Sequence, residues 1–155
     1  MTRHTTHHSL CSSSTHVPVV VVQPWEDEDA VQVCRRTLEL WGFRSTCTSD
    51  IEQALQLIAE NGSRALVVDL DMPGHDVLAL VGALRSHEAT SDVAVLATTR
   101  THDAAVEQLA LESGCDVVLC GELDPHLVAG ELEAAVCHPG RRMARPSTPP
   151  LARAC

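Results

Sequence analysis

The chain has 155 residues, enough to bury one core of ordinary size and too few to favour two. With 45% hydrophobic and 21% charged residues and only short apolar runs, it reads as a soluble protein with no membrane span. A formal net charge of −10 argues against a sequence-independent grip on a phosphate backbone, which depends on clustered Lys and Arg, so no direct nucleic-acid partner is expected.

Residues 1–16 hold His, Ser and Thr where a secretory leader would need a basic start and an apolar stretch. The segment reads as a disordered tail and the protein as cytoplasmic. Residues 17–22 are an almost unbroken β-branched run, which suits a strand buried on both faces. The acidic residues 26–29 follow, and Ala30, Cys34, Leu38 and Trp41 then recur at helical spacing until Gly42 supplies a stop. Residues 43–47 predict a second strand, and Ser49 with Glu52 three places on makes a capping-box signature before Ala54, Leu55 and Ile58.

Ala65, Leu66, Val67 and Val68 run apolar directly into Asp69, and Met72, Pro73 and Gly74 break the chain before Leu78, Val81 and Leu84 resume a helical stripe. Residues 93–97 form the fourth apolar run, which ends on Thr98 and Thr99. A helix carrying Val106, Leu109 and Ala110 follows and stops at Gly114. Residues 117–120 are the fifth run, and Asp124 with Pro125 makes an N-cap and first-turn pair for a last helix bearing Val128, Leu132 and Ala135. Beyond Cys137, residues 138–155 are rich in Pro and Arg without an apolar period and read as a second disordered tail.

Five apolar strands alternating with five helical patterns predict an α/β domain over residues 17–137, a doubly wound five-stranded parallel sheet with helices on both faces. Ligands of such sheets sit outside the carboxyl ends of the strands, where Asp69 and Thr98 fall. A carboxylate there can act as a nucleophile or a metal ligand, or it can simply close the strand as a solvated group. The seven cysteines contain no C-x-x-C pair and are odd in number, so they read as buried thiols rather than a zinc site or a disulfide framework.

The stretch Leu66-Val67-Val68-Asp69-Leu70-Asp71-Met72-Pro73-Gly74 resembles the third strand and loop of bacterial two-component receiver domains. The likeness extends through the helix end at residues 38–43, the helix at 76–85 and the Gly114-Cys115-Asp116 turn. It implies a flavodoxin-like receiver fold with strand order 2-1-3-4-5, and a signalling module of a phosphorelay rather than an enzyme. By this match Asp69 is the phosphoacceptor, modified by a histidine kinase or phosphotransfer protein, and Asp71 is a loop residue. Thr98 corresponds to the hydroxyl residue that contacts the phosphoryl group, with Thr99 a rival one residue away. Output in the family runs through docking of a downstream protein, commonly on the face of helix 4, strand 5 and helix 5.

Two departures from the family pattern make this receiver atypical. The acidic pair that helps hold Mg²⁺ after strand one is replaced by Gln23 and Pro24, or in a second alignment by Trp25 and Glu26. Asp69, Glu26 and Asp27 remain the candidate metal ligands, so Mg²⁺ binding is expected to be weak or absent. The favoured reading of residues 26–29 is that they complement the dipole at the start of the first helix. The family's lysine after strand five corresponds to Gly121 and Glu122, no lysine exists anywhere in the chain, and Val118 stands where an aromatic switch residue belongs. A degenerate receiver that regulates a partner by phosphorylation-independent binding is therefore the alternative.

Other classes fit less well. A flavodoxin-like cofactor-binding protein would need a glycine- and hydroxyl-rich loop after strand one, and this chain offers Gln23-Pro24-Trp25-Glu26-Asp27. His4, His7, His8 and His16 lie in the predicted tail with no matched acid or thiol, and His75 reads as a solvent-facing loop residue.

Overall fold

The computed structural model describes residues 16–24, 28–72, 76–122 and 124–137. The predicted tails, apart from His16, and residues Trp25, Glu26, Asp27, Pro73, Gly74, His75 and Leu123 lie outside the described residues. Ten elements alternate along the chain: β1 (Val17–Val22), α1 (Glu28–Leu40), β2 (Phe43–Thr48), α2 (Ile51–Asn61), β3 (Ala65–Asp69), α3 (Val77–Ser86), β4 (Ala94–Thr99), α4 (Ala104–Ser113), β5 (Val117–Cys120) and α5 (Pro125–Cys137). All four strand pairings are parallel, in the order β2-β1-β3-β4-β5, which is the expected doubly wound arrangement.

Period-two alternation along each buried strand feeds two separate cores. Val19, Val21, Val67 and Leu96 point to the face covered by α1 and α5, where Leu38 and Leu132 are fully buried. Val20, Val22, Leu66, Val68, Val95 and Ala97 point to the other face, under α2, α3 and α4. A buried Leu such as Leu132 contributes about 2 kcal/mol through the apolar surface it removes from water.

Local signals account for most of the boundaries. Asp50, not Ser49, caps α2: its Oδ1 accepts the N–H groups of Glu52 and Gln53 at 2.8 and 3.4 Å. The capping residue is thus one position later than the sequence signature suggests, with the same chemistry. Asp76 and Asp103 cap α3 and α4 in the same way, and Asp124 Oδ1 accepts the His126 N–H at the start of α5. Leu109 faces solvent, so the buried side of α4 is made instead by Glu107 and Ala110.

Trp41 lies in the turn after α1 rather than on the helical stripe. Its Nε1 donates to His126 Nδ1 at 3.1 Å and its ring lies over Gly130, so one indole ties the end of α1 to α5. On the opposite face, the Arg85 guanidinium donates to the carbonyls of Ser91, Val93 and Gly114 and to Asp116 Oδ2, joining α3, the start of β4 and the turn before β5. Cys34, Cys47, Cys115 and Cys137 are thiols as expected, whereas Cys120 is disulfide-bonded, which corrects the reading of every cysteine as a thiol. Among the described residues, no helix is long and apolar enough to cross a membrane.

Candidate functional site

Strand order alone decides which residues meet at the carboxyl rim. β3 is central, so Asp69 at its last position has β1 on one side and β4 on the other. In the β3–β4 ladder Asp69 pairs with Thr98. Both continue the alternation of Ala65 and Val67 and of Ala94 and Leu96, and so stand on the α1/α5 side of the sheet. The hydroxyl predicted to work with Asp69 is therefore its direct cross-strand neighbour.

Thr99 follows Val95 and Ala97 to the other side, where it is buried. Its hydroxyl is already engaged, because Oγ1 donates to Asp71 Oδ1 at 2.8 Å and accepts the Thr101 N–H at 3.2 Å. Asp71 Oδ2 accepts the Arg100 N–H at 2.7 Å, and the Asp71 N–H donates to Asp69 Oδ1 at 2.8 Å. The loop after β3 is thereby tied to the loop after β4, with Asp71 as the brace.

Asp69 is half-buried, and loss of solvation pushes its carboxyl above the usual range. The N–H bond from Asp71 works against that rise, the Asp71 charge adds to it, and the Arg100 guanidinium opposes it. Arg100 is the cation that bears on Asp69 in the absence of any lysine. Neither the bracing role of Asp71 nor the proximity of Arg100 is evident from the sequence; a run of polar residues after a buried strand was the only signal.

At the lysine position of the family pattern, Gly121 turns the chain with φ +87° while its N–H donates to Thr99 O at 2.8 Å. A side chain at that φ would be strained. Glu122 is exposed, and Val118 packs against the α2–α4 core.

A divalent cation such as Mg²⁺ needs several oxygen ligands. Glu26 and Asp27 lie outside the described residues, and Asp71 commits both carboxylate oxygens to Thr99 and Arg100. Among the described residues, no group of three or more His, Cys, Asp or Glu side chains could hold a metal ion. Of the three candidate ligands, Asp69 alone lies among the described residues of the rim.

The model of the response regulator receiver domain matches residues 12–128. The transcriptional regulatory protein PrrA of Mycobacterium bovis and that of Mycobacterium tuberculosis are each 34% identical over 91 residues, covering 59% of this chain and 38% of theirs. The chain thus spans well under half the length of these curated relatives. Among solved structures, the Francisella response regulator 1452 receiver domain is 22% identical with a TM-score of 0.68, over 78% of this chain and 97% of that one. The chemotaxis response regulator CheY4 of Vibrio cholerae is 19% identical with a TM-score of 0.68, over 77% and 98%. These two likenesses show the fold, and the family match shows that the chain belongs to the response regulator receiver domain family.

Proposed function

We propose that this chain is the receiver module of a phosphorelay, that it takes a phosphoryl group on Asp69 from a phosphohistidine of a histidine kinase or phosphotransfer protein, and that it signals by docking to a downstream protein. The observation that carries this reading is the half-buried Asp69 carboxylate at the end of the central strand, level with the Thr98 hydroxyl. An Asp69 oxygen attacks phosphorus, the phosphorus–nitrogen bond to the imidazole breaks, and an acyl phosphate forms. Thr98 Oγ1 then donates to a phosphoryl oxygen, and Arg100 supplies positive charge nearby.

On this reading the protein is a signalling module and not an enzyme, works in the cytoplasm without contacting membrane or nucleic acid directly, and is built as residues 17–137 between two tails. The target docks on the face of α4, β5 and α5. Mg²⁺ contributes weakly or not at all. A second reading, a binding module indifferent to phosphorylation, is favoured by one observation: Gly121 occupies the lysine position at a φ that disfavours any side chain. Incubating the protein with acetyl phosphate and measuring intact mass separates the two. The first reading predicts one added phosphate on the wild type and none on Asp69→Asn; no addition to folded wild type would support the second.

A further inference from the structure

The rim residue on the other side of Asp69 is Gln23. The β1–β3 ladder pairs Val22 with Val68, and one step further sets Gln23 level with Asp69, as Asp69 is level with Thr98. β1 keeps its strand geometry through this step, because the Gln23 N–H donates to Thr48 O at 3.1 Å. Alternation after Val19 and Val21 puts Gln23 on the α1/α5 side, the side that Asp69 and Thr98 share. Three neighbouring strands therefore end in a row: Gln23, Asp69, Thr98.

Gln23 Nε2 is buried and, among the described residues, has no hydrogen-bond partner. A buried amide donor with nothing to bond is costly to keep, and such a group in a native protein calls for a partner such as an ordered water, an ion or a ligand. Its two N–H groups cannot ligate a cation, whereas they suit the oxygens of a tetrahedral oxyanion. The family pattern has a carboxylate in this region to hold metal, so the exchange of acid for carboxamide removes a negative charge from the rim and adds a hydrogen-bond donor.

We propose that Gln23 is the oxyanion donor of this site, its Nε2 bonding a phosphoryl oxygen carried on Asp69, and that a hydrogen-bond donor here takes over the work of a divalent cation so that phosphorylation proceeds without Mg²⁺. This rests on the reading of Asp69 as acceptor. Gln23 touches the transferred group directly but forms no covalent bond to it: the bonds made and broken are those of the acyl phosphate step already described.

The test measures initial rates of acyl phosphate formation by intact mass, with acetyl phosphate as donor, on the full chain in EDTA and in millimolar Mg²⁺. The wild type is expected to react in EDTA within about twofold of its rate in Mg²⁺, and Gln23→Ala to lose about tenfold in EDTA while its circular dichroism is unchanged. Gln23→Glu should fail in EDTA and recover in Mg²⁺, since it restores a metal ligand. A wild type that reacts only with Mg²⁺, or a Gln23→Ala variant as fast as wild type, overturns the proposal. In parallel, inorganic phosphate is titrated in EDTA while the Gln23 side-chain amide is followed by NMR. If that amide shifts but no phosphorylation occurs under any condition, the oxyanion site stands and Asp69 as acceptor falls; if neither is seen, both fall.

Discussion

Thr99 Oγ1 donates to Asp71 Oδ1 at 2.8 Å, and this one bond fixes the side chain of a buried strand-end threonine to a loop two residues past Asp69. It also explains why two adjacent threonines at the end of β4 have different work: Thr99 holds the loop, and Thr98 remains beside Asp69.

Thr99→Val keeps the shape and removes the donor. Because the partner oxygen belongs to an exposed carboxylate that water can solvate, the loss should be about 1 kcal/mol rather than the larger cost of a buried orphan. Chemical denaturation reads the stability change, and amide exchange should quicken at Arg100, whose N–H is held by the same carboxylate.

Arg85 and Asp116 form a well-shielded ion pair, at 3.1 Å with side-chain exposures of 19% and 6%. Asp116 Oδ2 also accepts the Val95 N–H at 2.7 Å. Asp116→Ala leaves that strand amide and the guanidinium short of an acceptor, so about 3 kcal/mol of stability should be lost. Glu39→Ala, which breaks the exposed pair with Arg35, should change the same denaturation midpoint by less than about 0.5 kcal/mol.

Two glycines predict opposite signs. Gly82 sits inside α3 with open space where a Cβ would go, so Gly82→Ala should stabilise by about 1 kcal/mol through helix propensity. Gly114 has φ +117°, and a Cβ there would meet Arg85 Cγ at 2.8 Å; Gly114→Ala should therefore destabilise by more than about 1 kcal/mol and disturb the guanidinium clamp. Thermal melts of both variants test the pair.

Burial raises the Asp69 carboxyl above its ordinary value of 3.8. A carboxyl whose folded value is raised holds its proton longer folded than unfolded, so stability falls as pH rises from the unfolded value through the folded one. Asp69→Asn removes that cost. Its melting temperature should exceed that of the wild type at neutral pH, and the gap should close as pH falls below the ordinary carboxyl value. A gap that persists in acid would mean the gain does not come from charge.

Much of this was legible in the sequence because apolar runs are self-reporting: all five strands and the helical stripes over Ala54 and Ile58 or Val81 and Leu84 lie where the patterns put them. The Met-Pro-Gly break after Asp69 marked the rim in the same way. Thr98 and Thr99 could not be separated by pattern, since both sets of alternating positions in β4 are apolar and only the register with β3 tells which threonine shares the side of Asp69. Arg100 and the brace at Asp71 escaped notice because loop polar residues carry no period; what gives them meaning is a hydrogen bond across two loops 29 residues apart. Leu109 lies on the predicted helix yet faces solvent, as apolar identity on a helix does not guarantee burial.

The most direct test of the central claim asks which carboxylate carries the phosphate. After treatment with acetyl phosphate, borohydride reduction converts an aspartyl phosphate to homoserine, and peptide mass spectrometry locates it. The account predicts homoserine at position 69 alone; homoserine at position 71, or unmodified aspartate at both in a folded sample, would contradict it.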